Sequence, residues 1–173
     1  MLRPAQLYED EIAQEFYKTW YDGKFKYYVE GAFCYMEPVD EDTSESHQYA
    51  SVVLDNVIGY ISYRVDRTAD IAYDMNVINF SSNLAAFGRD LAHAVDDIFC
   101  KFNFNKLEFG VIVGNPAEKM YDKFIKMTGG RVVGTLSQHV KLIDGKIYDL
   151  KMYELSRKNY LKHRESFFGI ELL

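Results

Sequence analysis

Three stretches of the sequence combine residue types and spacing suited to chemistry. Asn83-Leu84-Ala85-Ala86-Phe87-Gly88-Arg89 lies between a strand-like and a helix-like run. Free backbone N–H groups and the positive end of a helix there can hold a pyrophosphate, and the small Ala86 and Gly88 admit a ligand close to the backbone. The same small residues would equally serve tight packing of the helix on a sheet. Asn115-Pro116 opens a second helix, with Asn as N-cap and Pro at the first helical position. Tyr121 shares the apolar face of that helix with Ala117, Met120 and Phe124 and reads, on spacing alone, as a core aromatic. Two carboxylates are candidates to accept a proton directly or through water: Glu108, on the face of its strand opposite Leu107 and Phe109, and Asp74, in an earlier strand. His47, His93, His139 and His163 are scattered without HxxxH or HExxH spacing, and Cys34 and Cys100 form no CxxC pair, so no metal site is expected. GxSxG, GxxxxGK[ST] and GxGxxG motifs are absent from the sequence, which removes the common hydrolase, nucleotide and dinucleotide readings.

The elements that must position these residues follow from hydrophobic spacing. Ile12, Phe16 and Trp20 predict a helix over 8–20, ended by Asp22-Gly23. The run 24–31 is aromatic-rich without a clear period, and 38–46 is acidic, polar and expected as a solvated loop. Runs 48–54 and 57–66 suit a hairpin turning at Asp55-Asn56, and a third strand over 71–80 puts Ile71, Tyr73, Met75 and Val77 on one face. The period then changes. Leu84, Phe87, Leu91, Val95, Ile98 and Phe102 form a helical stripe, with Arg89, Asp90, Asp96 and Asp97 off it. Leu107, Phe109, Val111 and Val113 alternate after that helix, which implies a parallel crossover. Gly129-Gly130 stops the next helix, and a hairpin follows: 131–143, a two-residue Asp144-Gly145 turn, and 146–155. The tail 156–173 carries Phe167-Phe168, which would dock on the domain or on a second copy in a homodimer.

A chain of 173 residues fits one domain, here 1–155 with the tail added. A net charge of −6 argues against a nucleic-acid partner and favours a cationic or neutral substrate. No apolar run approaches membrane-spanning length, so no membrane partner is expected, and two unpatterned cysteines suit a reducing, cytoplasmic setting.

Taken in order, the strand meander, the 83–89 loop with its helix, the parallel strand, Asn115-Pro116-Ala117 with Tyr121, Gly129-Gly130 and the closing hairpin resemble the GNAT N-acetyltransferase superfamily over roughly 57–155. The Arg3-Pro4-Ala5 opening is similar to the start of many members. The resemblance implies an α/β single-domain fold: a mixed, mostly antiparallel sheet flanked by helices, with a parallel crossover at the cofactor cleft. It implies acetyl-CoA as co-substrate and transfer of the acetyl group, by direct attack in a ternary complex, to a small-molecule or peptide amine. The family's Q/R-x-x-G-x-G/A signature falls on Asn83, Ala86 and Gly88, with Asn for Gln/Arg and Ala for the first Gly; Arg89 is a cation beside it. On this basis Asn83, Ala85, Ala86, Phe87, Gly88 and Arg89 would hold the diphosphate. Ile78, Asn79 and Phe80 would pair with the pantetheine arm, Asn115 would contact it, and Tyr121 would protonate the leaving thiolate. The segment 24–46 would form much of the acceptor side. Two other readings stay open: a non-catalytic protein of this fold that binds a coenzyme or protein partner, and an interaction protein with no small-molecule site.

Overall fold

The computed structural model describes residues 1–20, 22–28, 39 and 44–170, with side chains to residue 165. The loop expected over 38–46 lies mostly outside the described residues, as do Cys34 and the side chains of Phe167 and Phe168. The strands are β1 Leu2–Pro4, β2 Ser46–Val53, β3 Asn56–Asp66, β4 Ile71–Asn79, β5 Lys106–Ile112, β6 Arg131–Lys141 and β7 Ile147–Ser156. The helices are α1 Glu9–Thr19, α2 Leu84–Asp96, α3 Glu118–Thr128 and α4 Arg157–Ile170. All seven strands join one sheet in the order β1-β2-β3-β4-β5-β7-β6. Every neighbouring pair is antiparallel except β4–β5.

One face of the sheet carries α1, whose first turn holds Glu9, Asp10 and Glu11 against the positive helix end. Ile12, Phe16 and Phe25 pack there on Ala50, Val52, Tyr60 and Ile78. The other face carries α2, a π-helical turn at Asp97–Lys101, α3 and α4. Val95, Ile98 and Phe99 bury against Tyr63, Val65, Leu107, Phe109 and Tyr153. α4 is fixed by Tyr160, which is fully buried and stacks on Phe99 with centroids 4.7 Å apart. Its Arg164 guanidinium, 2.6 and 3.0 Å from Asp96, holds that carboxyl below its usual range against the effect of partial burial.

Several expectations shift. The β2–β3 turn is Leu54-Asp55, one residue earlier than expected, and both residues are left-handed as a two-residue hairpin turn requires. The β6–β7 loop spans three residues rather than two, because Leu142 N–H donates to Lys146 C=O and Gly145 takes the left-handed position. Leu84 does not join the helical stripe, being 74% exposed. Asp90, expected on the polar face, is buried, and Ser51 Oγ donates to it at 2.6 Å. Ile71, Tyr73, Met75 and Val77 do not share a face. Ser62 pairs with Asn76 and Arg64 with Tyr73, so Tyr63 stands opposite both Asp74 and Met75. This bulge, with Asp74 at φ +54°, inserts a residue and reverses the alternation. Met75 and Val77 therefore pack beside α2. Among the described residues no helix is long and apolar enough to cross a membrane.

His47 on β2 is buried between Phe102 and Tyr63, with centroids 4.2 and 5.1 Å away, and its Nε2 has no hydrogen-bond partner among the described residues. Burial, assisted by the positive charges of Arg67 and Lys101, lowers its pKa from 6.5 to about 4. Below 6.5 the unfolded chain takes up a proton that the folded chain refuses, so this contribution to stability is whole above that pH and is lost as pH falls toward 4. At about 1.4 kcal/mol per unit, discounted for solvent screening, urea unfolding at pH 5 should give about 1–2 kcal/mol less stability than at pH 7. His47→Phe should remove that part of the difference.

Candidate functional site

The parallel strands β4 and β5 pair at only two positions, Ile71 with Lys106 and Ala72 with Leu107. Beyond these each keeps its outer partner, β4 bonding to β3 as far as Asn79 and β5 to β7 as far as Ile112. Their facing edges separate, and the Asp74 bulge lies where the separation begins. A cleft of about 500 Å³ occupies the gap. Bare N–H and C=O groups along a strand edge can pair with an extended ligand, and a crevice beyond the carboxyl ends of parallel strands is where open α/β sheets bind ligands.

The structure brings Asp74, Ile78, Glu108, Asn115 and Tyr121 together on this cleft. Asp74 is exposed, and among the described residues its carboxylate makes no ion pair. Glu108 is held by Lys106 Nζ at 2.5 Å. Ile78 is buried against the α1 cluster. Asn115 is buried but does not cap the helix directly, since α3 begins at Glu118 after a turn. Its Oδ1 accepts from Ala117 N–H at 2.9 Å and its carbonyl from Glu118 N–H, so the residue shapes the entry turn rather than the first helical turn. Tyr121 packs edge-on against Phe109, centroids 5.5 Å apart, and Phe109 stacks on Tyr153. Desolvation, with smaller effects from Tyr28 and Tyr153, raises the Tyr121 hydroxyl well above its ordinary value, so it keeps its proton at neutral pH. That hydroxyl makes no hydrogen bond among the described residues.

Asn79, Phe80 and the 83–89 loop do not line this cleft. Phe80 packs on Phe16 at 5.3 Å. Ala86 and Phe87 face inward, and Gly59 makes room for the Phe87 ring, since a Cβ there would lie 2.2 Å from it. The loop's donors are largely used within the chain. Ser81 N–H donates to Asn79 Oδ1, Asn83 N–H to Ser81 Oγ and Leu84 N–H to Ser82 C=O. Ala86 N–H donates to Asn83 Oδ1 at 3.2 Å and Phe87 N–H to Asn83 C=O. Asn83 is thus the N-cap of α2, and of the small residues in this loop Ala86 is the one that is buried. Gly88 has open space beside it, and Ala85 and Arg89 are exposed. Among the described residues β4 pairs with β5 at only two positions, while the start of α2 offers fewer free donors than an uncapped helix start.

The resemblance put 24–46 on the acceptor side but did not anticipate Phe16, Tyr60, Ser62 or Tyr73. Phe16, Tyr27, Tyr28, Tyr60, Ser62 and Tyr73 also line the cleft. The Gly23–Tyr28 segment reaches it as a short 3-10 helix, and Lys26 ties it to the β6–β7 turn through Tyr148 and Asp144 at 3.4 and 3.6 Å. Tyr27 and Tyr28 fall within the aromatic-rich segment expected on that side.

No family model and no curated protein sequence matches the chain. Solved structures do. A spermidine N-acetyltransferase from Vibrio cholerae in complex with CoA and spermine aligns over 93% of this chain and 97% of its own, with a TM-score of 0.69 and 19% identity. A probable acetyltransferase aligns over 91% and 92%, at 0.65 and 16% identity. A further structure described as an acetyltransferase aligns over 70% of this chain and 62% of its own length, at 0.57 and 15% identity. With the parallel pair that opens into a cleft, the mostly antiparallel sheet and the flanking helices all in place, the chain has the fold of the GNAT N-acetyltransferases.

Proposed function

We propose that the chain is an acetyl-CoA-dependent N-acetyltransferase that uses the β4–β5 cleft. The observation that carries this reading is that one cleft joins a β4 edge and a protonated Tyr121 hydroxyl, both without hydrogen-bond partners there among the described residues. Acetyl-CoA would supply an acetyl group activated as a thioester. The β4 edge from Tyr73 to Asn79 would hold the pantetheine amides, and Asn115, whose amide nitrogen makes no hydrogen bond among the described residues, would orient them from the facing strand end. Tyr121 would give its proton to the departing sulfur. Glu108 or Asp74 would take the proton that the acceptor amine loses, directly or through water. Neither carboxylate is buried, so each can exchange that proton with solvent. The order of bond changes is one C–N bond formed, one C–S bond broken and one net proton moved from nitrogen to sulfur.

The coenzyme-binding but non-catalytic alternative draws on the capped 83–89 loop, and two variants separate the readings. Tyr121→Phe keeps the ring contact with Phe109 and removes only the acid. Coenzyme affinity and Tm should change little, while kcat falls by about 10²–10⁴; wild-type turnover would exclude Tyr121 from the chemistry. Asn83→Ala removes the cap and should cost about 1 kcal/mol in urea unfolding. Because it also frees the Ala86 N–H, coenzyme A affinity measured by titration calorimetry should hold or rise. A loss of affinity would mean that the Asn83 side chain itself holds the phosphates.

The unpaired edge of β6 exposes Val132, Val133 and Leu136, and a second copy of the chain is the partner we propose for it. Light scattering should then report twice the 20.1 kDa chain mass, and Leu136→Lys should return it to one.

A further inference from the structure

Ser62 is 2% exposed, lies on the floor of the cleft, and its hydroxyl has no hydrogen-bond partner among the described residues. A buried hydroxyl left without a partner is costly, so one placed on a ligand-sized cavity marks where a ligand's polar atom belongs. It stands on β3 opposite Asn76, beside the Asp74 bulge, and therefore on the acceptor side of the splayed strands rather than along the β4 edge proposed for the coenzyme. Phe16, Tyr27, Tyr28, Tyr60 and Tyr73 line the same cleft with ring surface.

The charges around this floor limit what can bind. Each ammonium removed from water needs an anion or a ring face in return. Among the described lining residues the carboxylates are Asp74 and Glu108, and Glu108 is matched by Lys106 at 2.5 Å. Asp74 alone is unmatched. Beside the cleft-lining Tyr27, Lys26 lies over the rings of Tyr27 and Tyr148, 4.7 and 5.5 Å from their centroids, and is paired with Asp144.

We infer that Ser62 and Asp74 form the acceptor subsite, that Ser62 Oγ accepts a hydrogen bond from the acceptor's nitrogen, and that the acceptor is an amine with one ammonium and an apolar or aromatic body rather than a polyamine. This rests on the acetyltransferase reading for its chemistry, but the subsite is read by binding alone. Titration calorimetry with 2-phenylethylamine and with spermidine, in the presence of coenzyme A, tests it. The aromatic monoamine should bind at least about tenfold more tightly than spermidine, and Ser62→Ala should weaken it by about tenfold or more, the usual effect of losing a hydrogen bond to a charged group. The Tm of Ser62→Ala should stay level or rise, because the variant removes an unpartnered buried hydroxyl, whereas a structural role would lower it. Asp74→Asn, a side chain that also accepts a left-handed backbone, should weaken the monoamine as well. Tighter binding of spermidine, no binding of either amine, or unchanged affinity in Ser62→Ala would overturn the inference. Titration of coenzyme A alone on the same protein judges the acetyltransferase reading separately: failure there with intact monoamine binding would sink that reading and leave the subsite standing.

Discussion

The whole site depends on how little of β4 is bonded to β5. A parallel pair continued to the ends of both strands would have used the hydrogen-bonding groups of the β4 edge and filled the space between them. Two residue pairs hold the halves of the sheet together, and the remaining length of each strand is anchored only on its far side. The bulge at Asp74 belongs to the same device, since an extra residue bends the strand and increases its local twist just past the last shared pair. The two core clusters on opposite faces then keep the wedge from collapsing: α1 supports β3 and β4 from one side, while α2 and the π turn support β4 and β5 from the other.

Polar groups are treated differently in the two regions expected to meet a coenzyme and its acceptor. Around 79–87 nearly every donor has a partner within the chain, from the Asn79 turn to the Asn83 cap. In the cleft, by contrast, the buried Ser62 hydroxyl has no hydrogen-bond partner among the described residues, and β4 pairs with β5 at only two positions. Binding energy is available where groups have been taken from water without a substitute, so the cleft, rather than the helix start, has more to gain from a ligand.

Much of the architecture was legible in the sequence because it rests on periodicity. The stripe from Phe87 to Phe102 and the alternation of Leu107, Phe109 and Val111 translate directly into buried faces. Among the candidate residues, Asp74, Ile78, Glu108, Asn115 and Tyr121 do line the cleft. What escaped were features of backbone geometry. Nothing in Tyr73-Asp74-Met75 announces a left-handed residue, and without it the alternation through Val77 is read on the wrong face. Asn115 was expected as a helix cap because Asn-Pro favours one, yet the local turn delays the helix to Glu118. Ser62 was invisible, since a small polar residue among aromatics becomes significant only when long-range pairing shows what surrounds it.

The strand order carries a consequence for how the chain is made. β5 occupies 106–112, but the strand bonded to its outer edge, β7, spans 147–156, and β6 is threaded between them in sequence while lying outside both in space. The β1–β4 half closes mostly through short hairpins, so it can fold while the polypeptide is still growing on the ribosome. One wall of the cleft has no such independence: until about 44 further residues have emerged after β5 ends, Leu107, Phe109 and Val111 sit on a strand held only by its two pairs with β4. The cleft is therefore among the last features to assemble, and the interval before β7 arrives is when the apolar face of β5 lacks its outer neighbour.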